Sequence, residues 1–218
     1  MGLKMYTKRK QNFPLRTLLV LTGIGLLVWS IGSSPERSQL MASLSMLTLL
    51  SFLLLIGQYF SSRTGNINAD ALTMCRLPKF HNNIGYASIM ILLFHPLYLV
   101  IPKFFEKGVA PGEAFFTILT TFSSRGVVLG VISWELMLIL LVTALFRKRI
   151  PVKYTTWRTA HSILAMLFIV TASCHVIDMG RHINYVMETF IIILAGSCLL
   201  FQLKRLIFSI FKKTRVRH

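Results

Sequence analysis

The stretch "TAHSILAMLFIVTASCH" (Thr159–His175) carries no charged residue, yet holds a histidine near each end, His161 and His175. An apolar run of this length suits a bilayer crossing, since roughly 20 residues of helix cover a hydrocarbon core of about 30 Å. Ionisable side chains inside such spans are rare and usually functional. The two histidines are fourteen positions apart, a distance that returns a helix to within about 40° of its starting direction and climbs about 21 Å along its axis. Both imidazoles therefore share one helix face, one near each leaflet.

The same spacing occurs in "HNNIGYASIMILLFH", between His81 and His95. Around these two segments the apolar runs recur, and the sequence predicts six spans near residues 15–33, 39–60, 80–102, 126–146, 158–177 and 184–208. The chain is 218 residues long, 54% hydrophobic and only 14% charged, against about a quarter charged in soluble domains. The expected fold is all-α: a single domain, 1–218, forming a polytopic six-helix membrane bundle.

The net charge of +17 would suggest nucleic acid in a soluble protein, but its placement here is a topology signal. Lys4, Lys8, Arg9, Lys10, Arg16, Arg63, Arg76, Lys79, Arg147, Lys148, Arg149, Lys153, Arg158 and the tail from Lys204 to Arg217 fall on one side. The other side holds Arg37, Lys103, Lys107, Arg125 and Arg181, diluted by Glu36, Glu106, Glu113 and Asp178. Retention of Lys and Arg on the cytoplasmic side puts both termini inside, in a multi-pass protein of the cell (inner or plasma) membrane. Membrane lipid is thus a partner and nucleic acid is not. The basic start before residues 15–33 resembles a signal peptide, but its apolar run exceeds the usual h-region and reads as an uncleaved first helix.

Under this topology the third and fifth spans run in the same direction, which brings His81 level with His161 and His95 level with His175. Two facing imidazoles at each of two depths make two bis-histidine sites, and imidazole is an axial haem ligand. The three cysteines, Cys75, Cys174 and Cys198, form no metal-binding pattern, and there is no Cys-x-x-Cys-His, so the haems would be held non-covalently. Gly85, Ser88, Ala165, Thr171 and Ala172 are small residues near the histidines, also common at any helix interface. Phe168 lies midway between His161 and His175 on their face, where it either lines the gap between haems or packs the bundle. Arg158, Arg76 and Lys79 are placed for the propionates of an inner haem, and Arg125, Arg181 and Lys103 for those of an outer one; the alternative for each is a solvated topology charge.

Between the spans, the loop 61–79, with Gly65, Asn66 and Pro78, reads as a turn-rich linker. Pro111 suits the first turn of a short helix, whose Phe115, Phe116, Ile118, Leu119 and Phe122 would meet the membrane surface. The short basic loop 147–158 makes the fourth and fifth spans antiparallel neighbours. Glu135, about nine residues into the fourth span, is expected to be protonated or paired. Asp178 and His182, four apart, are either a metal-catching turn or an ordinary polar loop.

The residues "HNNIGYASIMILLFH", "RGVVLGVISW" (125–134) and "WRTAHSILAMLFIVTASCH" (157–175) resemble the ferric reductase-like transmembrane domain. That family includes the NADPH oxidases, the ferric reductases and the haem subunit of the bacterial periplasmic methionine sulfoxide reductase system. The resemblance covers about residues 45 to 200. It implies an oxidoreductase subunit with six helices and two haem b groups: His81 and His161 on the inner iron, His95 and His175 on the outer, with electrons flowing outward from a cytosolic flavin. In the oxidases and ferric reductases a flavin- and nicotinamide-binding domain follows the sixth span. Here a short basic tail follows it, and G-x-G-x-x-G occurs nowhere in these residues.

The implied donor is therefore a cytosolic flavoprotein reductase using NAD(P)H, with FAD or FMN supplied by that partner or bound at the cytoplasmic face, or else membrane quinol. The sulfoxide reductase branch typically lacks the complete set of four histidines, so the chain matches neither group fully. Leu99 stands where the oxidases carry a further histidine. That departure turns the expected outer-face acceptor away from oxygen, toward ferric iron or a periplasmic protein. A quinol-linked cytochrome b subunit and a proton-coupled transporter using the histidines and Glu135 are the competing readings. No residue is assigned a catalytic role.

Overall fold

The computed structural model describes residues 13–32, 39–61, 71–100, 110–120, 124–180 and 183–215. Among the described residues all regular structure is helical. The helices are α1 (Phe13–Ile31), α2 (Gln39–Ser61), α3 (Ala71–Leu93), α4 (His95–Val100), α5 (Pro111–Thr120), α6 (Arg125–Leu145), α7 (Tyr154–Met179) and α8 (Tyr185–Arg215).

Four of them are long and apolar enough to cross a bilayer: Ala42–Phe60 in α2, Arg125–Leu145, Tyr154–Met179 and Tyr185–Lys204 in α8. Helix α1 is apolar over the shorter run Leu15–Ile31. The outward faces are apolar as well, with Leu19, Leu27, Ile193 and Leu200 all largely exposed, as expected of helices solvated by lipid tails. The protein is a multi-pass membrane protein built from helices.

The third predicted span differs most from expectation. Helix α3 begins at Ala71 and contains Pro78, so the linker read over 61–79 is helical in its second half. The run "ALTMCRL" is rich in good helix formers, and proline is tolerated inside membrane helices because neighbouring groups re-satisfy the freed carbonyl. At its other end α3 stops at Leu93, and α4 resumes at His95 after a turn at Phe94. Pro96 explains the break, since it has no N–H to offer the Leu92 carbonyl and its ring crowds that oxygen. The chain bends there without unravelling: Phe94 N–H still bonds Met90 O at 3.3 Å, and Tyr98 N–H bonds Phe94 O at 3.2 Å.

The chain divides into two compact units. The first comprises residues 1–115 with 181–187, and so contains α1 to α4. Helix α1 packs on α2, and α2 on α3. Phe52, Leu53 and Ile56 of α2 and Leu18 of α1 form its apolar core. Gly57 lets the first two helices approach closely, for a Cβ there would meet Leu18 Cδ2 at 2.5 Å. This is the small-residue contact by which membrane helices pack in the absence of a hydrophobic drive.

The second unit comprises residues 116–180 with 188–218, and its centre is the hairpin of α6 and α7. Its buried positions are Gly126, Ser133, Met137 and Leu140 on α6, and Ala165, Phe168, Ile169, Ala172 and Ser173 on α7. The antiparallel neighbours expected from the short basic loop are present. The short helix expected at Pro111 is α5, with Phe116 exposed.

Candidate functional site

His175 lies one turn before the end of α7. Its Nδ1 is 2.7 Å from the carbonyl oxygen of Gly126, in the first turn of α6. A carbonyl only accepts, so Nδ1 carries the proton and donates it. In a neutral His175 the lone pair is therefore on Nε2, the arrangement by which an outer hydrogen bond sets the tautomer of a metal-binding histidine.

Two glycines make room for this contact. A Cβ on Gly130 would come within 2.7 Å of the His175 ring, and one on Gly126 within 2.5 Å of Met179 Cγ. They stand one turn apart on the face of α6 that meets the end of α7. The same junction is tied by Arg125 Nε to Asp178 Oδ2 at 3.3 Å, with the arginine side chain 77% exposed.

His161 sits at the opposite end of α7, half-buried. The indole of Trp157 stacks on its ring, centroids 5.0 Å apart. Trp157 Nε1–H donates to the Thr143 carbonyl of α6 at 3.2 Å, which fastens the stack to the neighbouring helix. The stripe between the two histidines is buried, with Ala165, Phe168 and Ala172 each 9% exposed or less. Phe168 thus lies on the predicted face, and packing alone accounts for its burial. Arg158 is exposed.

In the first unit, His81 is on α3, against Gln58 of α2. With the Gln58 amide turned so that its NH2 faces the histidine, it donates to His81 Nδ1 at 2.8 Å and to the His81 carbonyl at 3.1 Å. Its oxygen then accepts from Gly85 N–H at 3.1 Å. Gln58 is only 3% exposed, and a Cβ on Gly85 would lie 3.5 Å from its amide. That distance is ordinary contact, so the tie between Gly85 and the glutamine is its N–H bond, which the spacing alone did not reveal.

His95 opens α4 immediately after the break at Phe94. The one-face geometry read for His81 and His95 assumed a continuous helix, and Pro96 interrupts that path. For His161 and His175 the assumption holds, since α7 runs unbroken from Tyr154 to Met179.

Other expected features fare differently. Glu135 is exposed and has no hydrogen-bond or ion-pair partner among the described residues, so the expected pairing is not found there. Asp178 is engaged by Arg125, and His182 lies outside the described residues, as do Lys103, Phe122 and Arg181 and the side chains of Arg76, Phe115, Ile118 and Leu119. Among the described residues no three His, Cys, Asp or Glu converge on one point. A single imidazole such as that of His175 suits a group that takes one nitrogen from a helix.

Four supporting residues escaped the sequence reading. Gly126 and Gly130 carry a visible signal, two glycines at helical spacing in "RGVVLG". Gln58 is a lone amide in the apolar run "SFLLLIGQYF" (51–60). Trp157 stands one turn before a histidine.

Residues 42–172 match the family described as "Ferric reductase like transmembrane component". A protein of Archaeoglobus fulgidus, described only as uncharacterized, is 36% identical over 169 residues, covering 78% of this chain and 92% of that relative. No solved structure matches. The chain belongs to the ferric reductase like transmembrane component family.

Proposed function

We propose that the protein is a di-haem b membrane subunit that carries electrons across the bilayer, from a cytosolic flavin and NAD(P)H donor to an acceptor at the outer face, either a ferric chelate or a periplasmic reductase protein. Family membership supports an electron-transfer role of oxidoreductase type. The observation that carries the finer reading is the Nδ1–H···O=C bond from His175 to Gly126, which puts the lone pair on Nε2, the tautomer that iron coordination through that nitrogen needs. In this reading His81 and His161 hold the inner haem, His95 and His175 the outer, in six crossings with both termini inside. Bound haems supply two one-electron carriers at two depths.

The chain's own residues do the rest. Gly126 and Gly130 hold the His175 ring and its proton in place. Trp157 orients the His161 ring. Gln58 braces His81. The apolar stripe through Ala165, Phe168 and Ala172 excludes water, and Arg158 and Arg125 offer cationic partners to propionates near each end.

The test is transfer across a sealed membrane. Proteoliposomes loaded with a reductant should reduce an external ferric chelate only when they contain haem-replete protein, and His95→Leu should abolish that reduction. Reduction of the chelate at equal rate by haem-depleted protein would refute the proposal.

A further inference from the structure

The turn joining α6 to α7 is more than a basic loop. From Phe146 to His161 the chain holds five cations, Arg147, Lys148, Arg149, Lys153 and Arg158, and no carboxylate. Lys148, Arg149, Lys153 and Arg158 are exposed. Within this rim three rings stand in file along α7. Tyr154, 60% exposed, stacks on Trp157 with centroids 5.9 Å apart, and Trp157 stacks on His161 at 5.0 Å.

The Arg147 guanidinium lies over both outer rings, 5.6 Å from the Tyr154 centroid and 5.2 Å from that of Trp157. Its Nη2 also reaches the Val152 carbonyl at 3.4 Å. Packing explains why Trp157 is tethered to Thr143. It does not explain why a tyrosine is kept in solvent at the head of the file, beneath a guanidinium that pairs well with aromatic faces. Nor does it explain why every surrounding charge has the same sign. Such a rim steers an acidic partner toward a place where an unbroken ring stack runs from the surface to a candidate iron ligand.

We propose that this hairpin is the docking surface for an acidic, flavin-carrying electron donor protein, and that the Tyr154–Trp157–His161 stack is the route by which its electrons reach the site held by His161. The proposal rests on the functional reading above and names the partner-facing side of that site. Two electrons leave the donor's dihydroflavin in turn; the flavin ends oxidised and releases its two protons to the solvent on that side. A haem held by His161 would accept these electrons one at a time. Tyr154 and Trp157 are neither oxidised nor reduced. They replace a gap with bonded and stacked atoms, and tunnelling falls off exponentially with the width of such gaps.

The test uses the full chain in lipid nanodiscs with a flavodoxin, an acidic FMN protein, as the probe. Oxidised flavodoxin should bind, and binding should weaken as ionic strength rises. K148E/R149E/K153E should weaken it about tenfold or more. With reduced flavodoxin at saturation, Tyr154→Leu should slow haem reduction about tenfold at unchanged affinity, while Tyr154→Phe keeps the wild-type rate, since ring stacking survives without the hydroxyl. Reduction by dithionite should be equal in all variants, which shows intact haem and fold.

Unchanged binding after charge reversal would overturn the docking surface and leave the cations as topology charges at the lipid headgroups. An unchanged saturating rate in Tyr154→Leu would overturn the route. The binding arm needs no haem, so haem-free protein that binds flavodoxin in the same salt-dependent way would count against the di-haem reading and not against this surface.

Discussion

His175 and His81 are both braced at Nδ1, but by chemically different partners. The His175 brace is a backbone carbonyl of α6, which accepts and cannot donate, so the proton position follows from the fold alone. The His81 brace is the Gln58 side chain, whose amide has a donor end and an acceptor end. In the orientation that satisfies Gly85 N–H as well, the amide donates to His81 Nδ1. A neutral His81 then carries its proton on Nε2, whereas coordination of iron through Nε2 needs the opposite tautomer and the amide turned over. The backbone of α6 fixes the proton of one histidine, and a side chain itself held by the His81 carbonyl and Gly85 N–H fixes that of the other.

The contrast can be broken most sharply at Gly130. Gly130→Val places a branched side chain where a Cβ already meets the His175 ring, and it should eliminate the outer site, seen as loss of one of two haems in a pyridine haemochrome assay. A variant that keeps both would mean that the Gly126 bond does not position the ring.

Gln58→Leu comes next. It removes the donor that holds the His81 proton on Nε2, and outer-shell changes commonly move metal binding about 10–100-fold, so haem titration should show the inner site tightened while the outer site keeps its affinity. Equal weakening at both sites would point to general loss of packing.

Trp157→Phe keeps a ring against His161 and removes the bond to Thr143. It should lower unfolding free energy by about 1 kcal/mol, measured by thermal unfolding in detergent, with haem content preserved. Arg125→Ala removes an ion pair whose arginine is mostly exposed. Its effect on stability should be no more than about 1 kcal/mol, and smaller still in high salt.

Much of the second unit was legible in sequence, because its signals are local. One unbroken helix carries both histidines, so fourteen-residue arithmetic applies to it directly, and a short basic loop fixes its neighbour. The first unit was less so. Pro96 stood in plain view beside His95, yet spacing arguments treat a helix as ideal and pass over the residue that bends it. Pro78 misled in the other direction, because a proline that ends most soluble helices is accommodated within α3. Gln58 is far from His81 in sequence and meets it only through packing of α2 on α3, which no periodicity reports. Gly130 was visible in "RGVVLG", but its purpose depends on the imidazole that fills the space it leaves.

The central claim is that four histidines hold two haems, and haem stoichiometry with reduced-minus-oxidised spectra tests it most directly. Protein expressed with ample haem should give a b-type spectrum and about two haems per chain, with His161→Ala and His175→Ala each reducing the count to about one. Colourless protein, or a haem content unchanged in both variants, would contradict the account.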